Sequence, residues 1–294
     1  MSMKPDFNKG LLLTSLGSFW WGFIGVIYFE YVSFIGHVEL VVHRCLWTAI
    51  MLIFTTTLFS KWKLFLITSS NKSYLFYLFI SGFLIFINWA VWIYAVATDR
   101  IIDASFGYFI MPIISVLLGY LFFKENLNKK RTFSILLVLI SITILIFFNL
   151  KDLPWVGLVV ALSWAFYNLI RKKINVDTDI GLLIESLYIL PFAIITFYFI
   201  TKNGFNDFSF SNIELSLLLI LAGPMTVIPL FLYVRGVELI GLGPTGMIFY
   251  ITPTLQFILG YFYYNEEFSL VKFISFIIIW IAVVIYLKDL YETY

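Results

Sequence analysis

Charge is the scarcest property of this chain. Of its 294 residues, 12% are Asp, Glu, Lys or Arg and 62% are hydrophobic, against roughly 25% and about 45–50% in soluble domains. No water-soluble fold covers that much apolar side chain, so a bilayer is the expected solvent. Histidine is nearly absent: His37 and His43 alone argue against a metal cluster. The GxSxG, HExxH and Walker patterns are missing, so no enzyme chemistry, cofactor or metal is expected. The one cysteine, Cys45, lies in an apolar run, where it forms no internal disulfide and reads as a buried, inert thiol. The net charge of +2 is scattered over short connections. With no basic patch or arm, nucleic acid is not an expected partner.

What the chain has in quantity is apolar run after apolar run. A crossing needs about 20 mainly apolar residues, and charged or turn-rich breaks divide the sequence into ten such stretches: 10–29, 38–59, 74–97, 104–123, 132–149, 154–170, 180–200, 213–234, 245–264 and 269–287. The first is read as a membrane helix, because no small-residue cleavage site follows it. Placing the N-terminus inside puts Lys4, Lys9, Lys61, Lys63, Lys72, Lys124, Lys129, Lys130, Arg131, Arg171, Lys172, Lys173, Arg235 and Lys288 on the cytoplasmic side, against Arg100, Lys151, Lys202 and Lys272 outside. Positive charge resists translocation, so both termini are expected in the cytoplasm.

An offset of 141 residues superimposes Tyr108–Leu127 on Phe249–Phe268. It pairs Pro112 with Pro253, Gly119 with Gly260, Glu125 with Glu266 and, upstream, Gly82 with Gly223. Each copy holds five spans, an odd number, so the copies must enter the membrane from opposite sides. The expected fold is therefore all-α and integral to the membrane, with ten transmembrane helices as two inverted five-helix repeats over 1–149 and 150–294. Such folds place solutes near the midplane between the repeats and alternate access by rocking. Pro112 and Pro253 read as kinks, either for packing or to shape the cavity. Gly119 and Gly260 read as sites of close helix approach.

Ionisable groups deep in a span are costly, and they point to function first. Arg44, adjacent His43 and Glu185 qualify. The offset superimposes Arg44 on Glu185, and Trp47 on Tyr188 one turn beyond. Arg44 reads either as a solute's anion partner or as half of an ion pair with Glu30 or Glu39. Glu185 reads either as a proton-linked carboxylate or as the partner of Arg171, Lys172 or Lys173. His43 reads more simply as a packing residue. Asn88 needs partners in mid-membrane and shares a helix face with Trp92. Trp20 and Trp21 sit in mid-helix one, and an aromatic cavity of this kind suits apolar or cationic groups.

HRCLW (His43–Trp47), NWAVWIYAV (Asn88–Val96), ASFGYFIMP (Ala104–Pro112), YNLIRKK (Tyr167–Lys173), LLIESLYILP (Leu182–Pro191) and YITPTLQFILG (Tyr250–Gly260) together resemble the EamA-type members of the drug/metabolite transporter superfamily, and among them the RarD-type permeases. The resemblance covers nearly the full length. It implies secondary transport of a small amphipathic, amino-acid-like or drug-like solute across a bacterial inner membrane, by a monomer or homodimer. The expected solute-binding set is Arg44, Trp47, Asn88, Trp92, Tyr108, Glu185, Tyr188 and Tyr250, with Glu185 also coupling to protons. An uncoupled exporter and a lipid-headgroup flippase remain alternatives, and membrane lipid is a partner in any case.

Overall fold

The computed structural model describes residues 3–98, 101–149, 155–174, 176–209, 211–263 and 270–293, and every regular element among them is helical. The chain opens with α1 (Met3–Phe19), which passes through a π-helical stretch (Trp20–Gly25) into α2 (Val26–Tyr31). There follow α3 (His37–Leu58), the short α4 (Trp62–Ser69), α5 (Lys72–Ala97), α6 (Ile101–Phe123) and α7 (Lys129–Asn149). The second half runs through α8 (Trp155–Lys173), α9 (Thr178–Lys202), α10 (Ile213–Ile240), α11 (Leu242–Ile248), α12 (Ile251–Phe262) and α13 (Leu270–Thr293). Seven described stretches are long and apolar enough to cross a membrane: Asp6–Tyr31, His37–Leu58, Lys72–Ala95, Lys129–Phe148, Thr178–Lys202, Ile213–Ile240 and Leu270–Thr293. Gly107–Phe123 is a shorter apolar helix.

With lipid as apolar as the helix surfaces, close packing needs small residues. Gly17 of α1 lies against the backbone of Pro229 and Tyr233 in α10, and Gly236 of α10 lies against Thr14. Gly107 of α6 meets the backbone of Gly157 in α8. A side chain there has no room, so Gly107→Val is expected to cost about 1–3 kcal/mol as overpacking. A lowered midpoint in detergent thermal unfolding checks it. At the far side, α7 and α13 are fastened by Arg131 Nε donating to Asp289 Oδ2 at 2.8 Å and Ser141 Oγ donating to the Ser275 carbonyl at 2.9 Å.

Two sequence expectations change here. Pro253 does not kink a continuous ninth helix: the chain breaks between α11 and α12, and Pro253 stands in the first turn of α12, where a missing N–H costs little. Pro112, by contrast, lies inside α6. Gly119 does not serve helix approach but leaves room for the Glu125 carboxylate. That carboxylate accepts from Leu242 N and Gly243 N, each at 2.8 Å, and so caps α11 just after Gly241 turns the chain at φ 90°. Burial raises the Glu125 pKa above its ordinary value, and the two amide donors oppose it. Glu266, its counterpart in the repeat, lies outside the described residues, as do Arg100 and Lys151.

Candidate functional site: a cavity walled by aromatics around one arginine

The cavity lies where both halves of the chain meet. From the first half, Trp21 and Gly25 of the π-helical stretch, Phe29 of α2, Arg44 of α3, and Asn88, Trp89 and Trp92 of α5 line it, with Tyr108 of α6. The second half supplies Trp164 of α8, Phe249 between α11 and α12, and Thr252 and Gln256 of α12. Its volume is about 60 Å³, room for a few water molecules, so the walls stand close together.

Local structure explains how tryptophan comes to face this space. One extra residue per turn in the π-helical stretch shifts the face that follows it. Gly22 in the same stretch lets it sit against the backbone of Thr252. Trp21 then stands edge-on to Trp164 with ring centroids 5.1 Å apart, and Trp164 lies 5.4 Å from Tyr233. Tyr108 and Phe249, 5.7 Å apart, close the wall across the two halves.

Arg44 is 6% exposed and among the described residues makes one hydrogen bond, from Nε to Thr226 Oγ1 at 3.0 Å. Its guanidinium carbon lies 4.5 Å from the ring centre of Trp89 and 5.1 Å from that of Phe29. Cation–π contacts of this kind are each worth about 2 kcal/mol or more when desolvated, and they offset part of the several kcal/mol that burying a charge costs. Glu39 is not the counter-ion. It accepts from Asp207 N and Phe208 N and stands 3.4 Å from His43. Asn88 donates its amide to the Val160 carbonyl and to Ser163 Oγ, at 2.9 and 3.1 Å.

Of the expected solute-binding set, Arg44, Asn88, Trp92 and Tyr108 line this cavity and four residues do not. Trp47 donates its indole N–H to His43 Nδ1 at 3.2 Å and packs on Phe208. Tyr188 donates to the Leu75 carbonyl, and Tyr250 to the Phe109 carbonyl. Glu185 sits in a separate buried cluster: Ser81 donates to it at 2.6 Å, Tyr167 at 3.3 Å and Arg171 at 3.5 Å. Arg171 also approaches Glu238 at 3.7 Å and donates to the Thr178 carbonyl at 3.0 Å. Sequence reasoning missed Trp89, Trp164, Phe249 and Gln256. The repeat offset itself carried a signal for Phe249, because 141 residues separate it from Tyr108.

Phe147 is 81% exposed and Phe262 76%, and together with seven described helices long and apolar enough to cross a membrane such surface fits contact with lipid. An all-helical bundle of this kind is an integral membrane protein, and comparison with known proteins makes it a transporter. The model of the EamA-like transporter family matches residues 8–147 and again residues 154–288. An uncharacterized transporter of Vibrio cholerae serotype O1 is 34% identical over 98% of this chain and 96% of its own. Protein RarD of Escherichia coli is 31% identical over 96% and 95%. A solved crystal structure superimposes with a TM-score of 0.70 at 14% identity, over 98% of each chain, and so shares the fold. The chain belongs to the EamA-like transporter family.

Proposed function

We propose that this protein is a secondary transporter that carries a small amphipathic metabolite through the Arg44 cavity by alternating access. The observation that carries the reading is that residues of both halves wall one cavity, with the charged Arg44 among its aromatic side chains. Ten crossings in two inverted repeats fit this reading, with α6, α8 and the α11–α12 pair joining the seven longer spans. Contacts between repeat mates support it: Tyr108 stacks near Phe249, and Tyr250 donates to the carbonyl of Phe109 at 2.9 Å, both across 141 residues. So does the double match of one family model. Both termini then lie in the cytoplasm of a bacterial inner membrane, and labelling tests this. Cys45 is buried and contributes little background, so an impermeant thiol reagent applied to intact cells should reach Asn203→Cys and miss Lys63→Cys. Labelling of Lys63→Cys would reverse the orientation.

Glu185 is the proposed proton-linked group. It is a buried carboxylate that accepts from Ser81, Tyr167 and Arg171, so loss of its charge would free a cluster joining α5, α8 and α9. Proteoliposomes loaded with a pH-sensitive dye and offered a metabolite panel are expected to show solute-dependent proton movement. Glu185→Gln should abolish that movement while solute counterflow persists. Unchanged proton movement in Glu185→Gln would remove the coupling role.

A further inference from the structure

We infer that the cavity recognises a monoanionic carboxylate on an apolar, ring-bearing body, held by Arg44. The inference rests on reading the cavity as the transport site, and it narrows the solute to one charge class. Three observations carry it. First, among the described residues Arg44 has no carboxylate partner and no hydrogen bond beyond Nε to Thr226. An arginine carries five N–H donors, so the four on its terminal nitrogens find no acceptor among the described residues. Second, among the described residues Arg44 is the one charged side chain that lines the cavity. A cationic solute would meet that charge in a low-dielectric space with no carboxylate among the described lining residues to offset it, so aromatic walls alone do not make this a site for cations. Third, the arginine is positioned rather than loose. Thr226 donates its own proton to the Ala222 carbonyl at 2.8 Å and so turns a lone pair to Nε, while Trp89 and Phe29 stand against the guanidinium.

A planar fork held in this way matches a carboxylate in two places, which an ammonium does not. Asn88 adds a second element. The Val160 carbonyl accepts only, so the Asn88 amide nitrogen must face it. Oδ1 then remains as an acceptor for an N–H or O–H of the solute. Trp21, Trp92 and Trp164 supply the apolar wall.

The test uses the full-length protein in nanodiscs and matched pairs of probes that differ only in charge: N-acetyl-phenylalanine and its amide, indole-3-acetate and indole-3-acetamide, 3-phenylpropionate and its amide. Binding is read from tryptophan fluorescence and from the thermal midpoint. At least one acid is expected to bind about tenfold or more tightly than its amide. Arg44→Met, which removes the charge, should bring that ratio to near one. Gln256→Glu, a change at a half-buried position lining the same space, should erode the ratio without touching the arginine. Amides that match their acids across the panel would overturn the inference, as would an acid preference that survives both substitutions. Flux in proteoliposomes separates the two readings. Equal transport of acid and amide would sink carboxylate recognition and leave the transporter standing. Acid-selective binding with no flux of any probe would leave the carboxylate site and sink its transport role.

Discussion

Arg171→Met should destabilise the protein by about 3–5 kcal/mol, because removing one partner of a buried charge cluster leaves the others uncompensated. Arg171 is 1% exposed and Glu185 2%. The arginine stands between two carboxylates, Glu185 at 3.5 Å and Glu238 at 3.7 Å. Glu238 keeps Arg235 at 2.8 Å and Thr178 at 2.7 Å when Arg171 is lost, so the damage falls on Glu185. Its remaining donors, Ser81 and Tyr167, are neutral and supply no counter-charge. Adding Glu185→Gln to Arg171→Met should therefore recover a large part of the loss, since the uncompensated charge disappears. Unfolding midpoints of the two single variants and the double variant give the coupling. Additive losses would mean that the two side chains do not stabilise one another.

Trp164→Ala should cost about 3–5 kcal/mol as a large-to-small change in a packed core, and it should also change binding. The indole is 6% exposed and is surrounded by Trp21, Tyr167, Tyr233 and Phe249, with ring centroids between 5.1 and 6.4 Å. Its removal opens the cavity toward the interface of α8 and α10. Trp164→Phe keeps a ring in that place and should fold near normally. Both binding and stability are then measurable, and Trp164→Phe is expected to accept bulkier solutes than wild type. A Trp164→Ala protein as stable as wild type would show that the surrounding rings close over the gap, and would contradict the packed wall described above.

Much of the fold could be read from the sequence because lipid imposes one rule, the long apolar run. The runs at 38–59, 74–97, 180–200 and 213–234 coincide with α3, α5, α9 and α10 to within a few residues, except that α10 continues to Ile240. What could not be read were departures from regular helix. The π-helical stretch at Trp20–Gly25 and the break at Phe249–Tyr250 leave no mark in hydropathy, since both lie within apolar sequence. The site divides along the same line. Arg44 and Asn88 stood out because a polar group in a span is expensive. The aromatics did not, because 20% of the chain is Phe, Trp or Tyr and most of them pack or face lipid. Trp47 follows Arg44 by three residues and belongs to the neighbouring part of the helix face, yet its indole turns to His43. Trp89 directly follows Asn88, where a helix turns by about 100°, and still reaches the arginine. Face arguments place a residue on a helix, while tilt and neighbours decide which cavity it meets.

Alternating access requires the Arg44 cavity to open to each side of the membrane in turn. Val26 lines that cavity, and Cys45→Ala removes the native thiol without touching it. In this background, Val26→Cys should react with an impermeant thiol reagent applied from outside, and equally when the reagent is confined to the inner side of sealed vesicles. Reaction from one side only, or from neither, would contradict alternating access through this cavity.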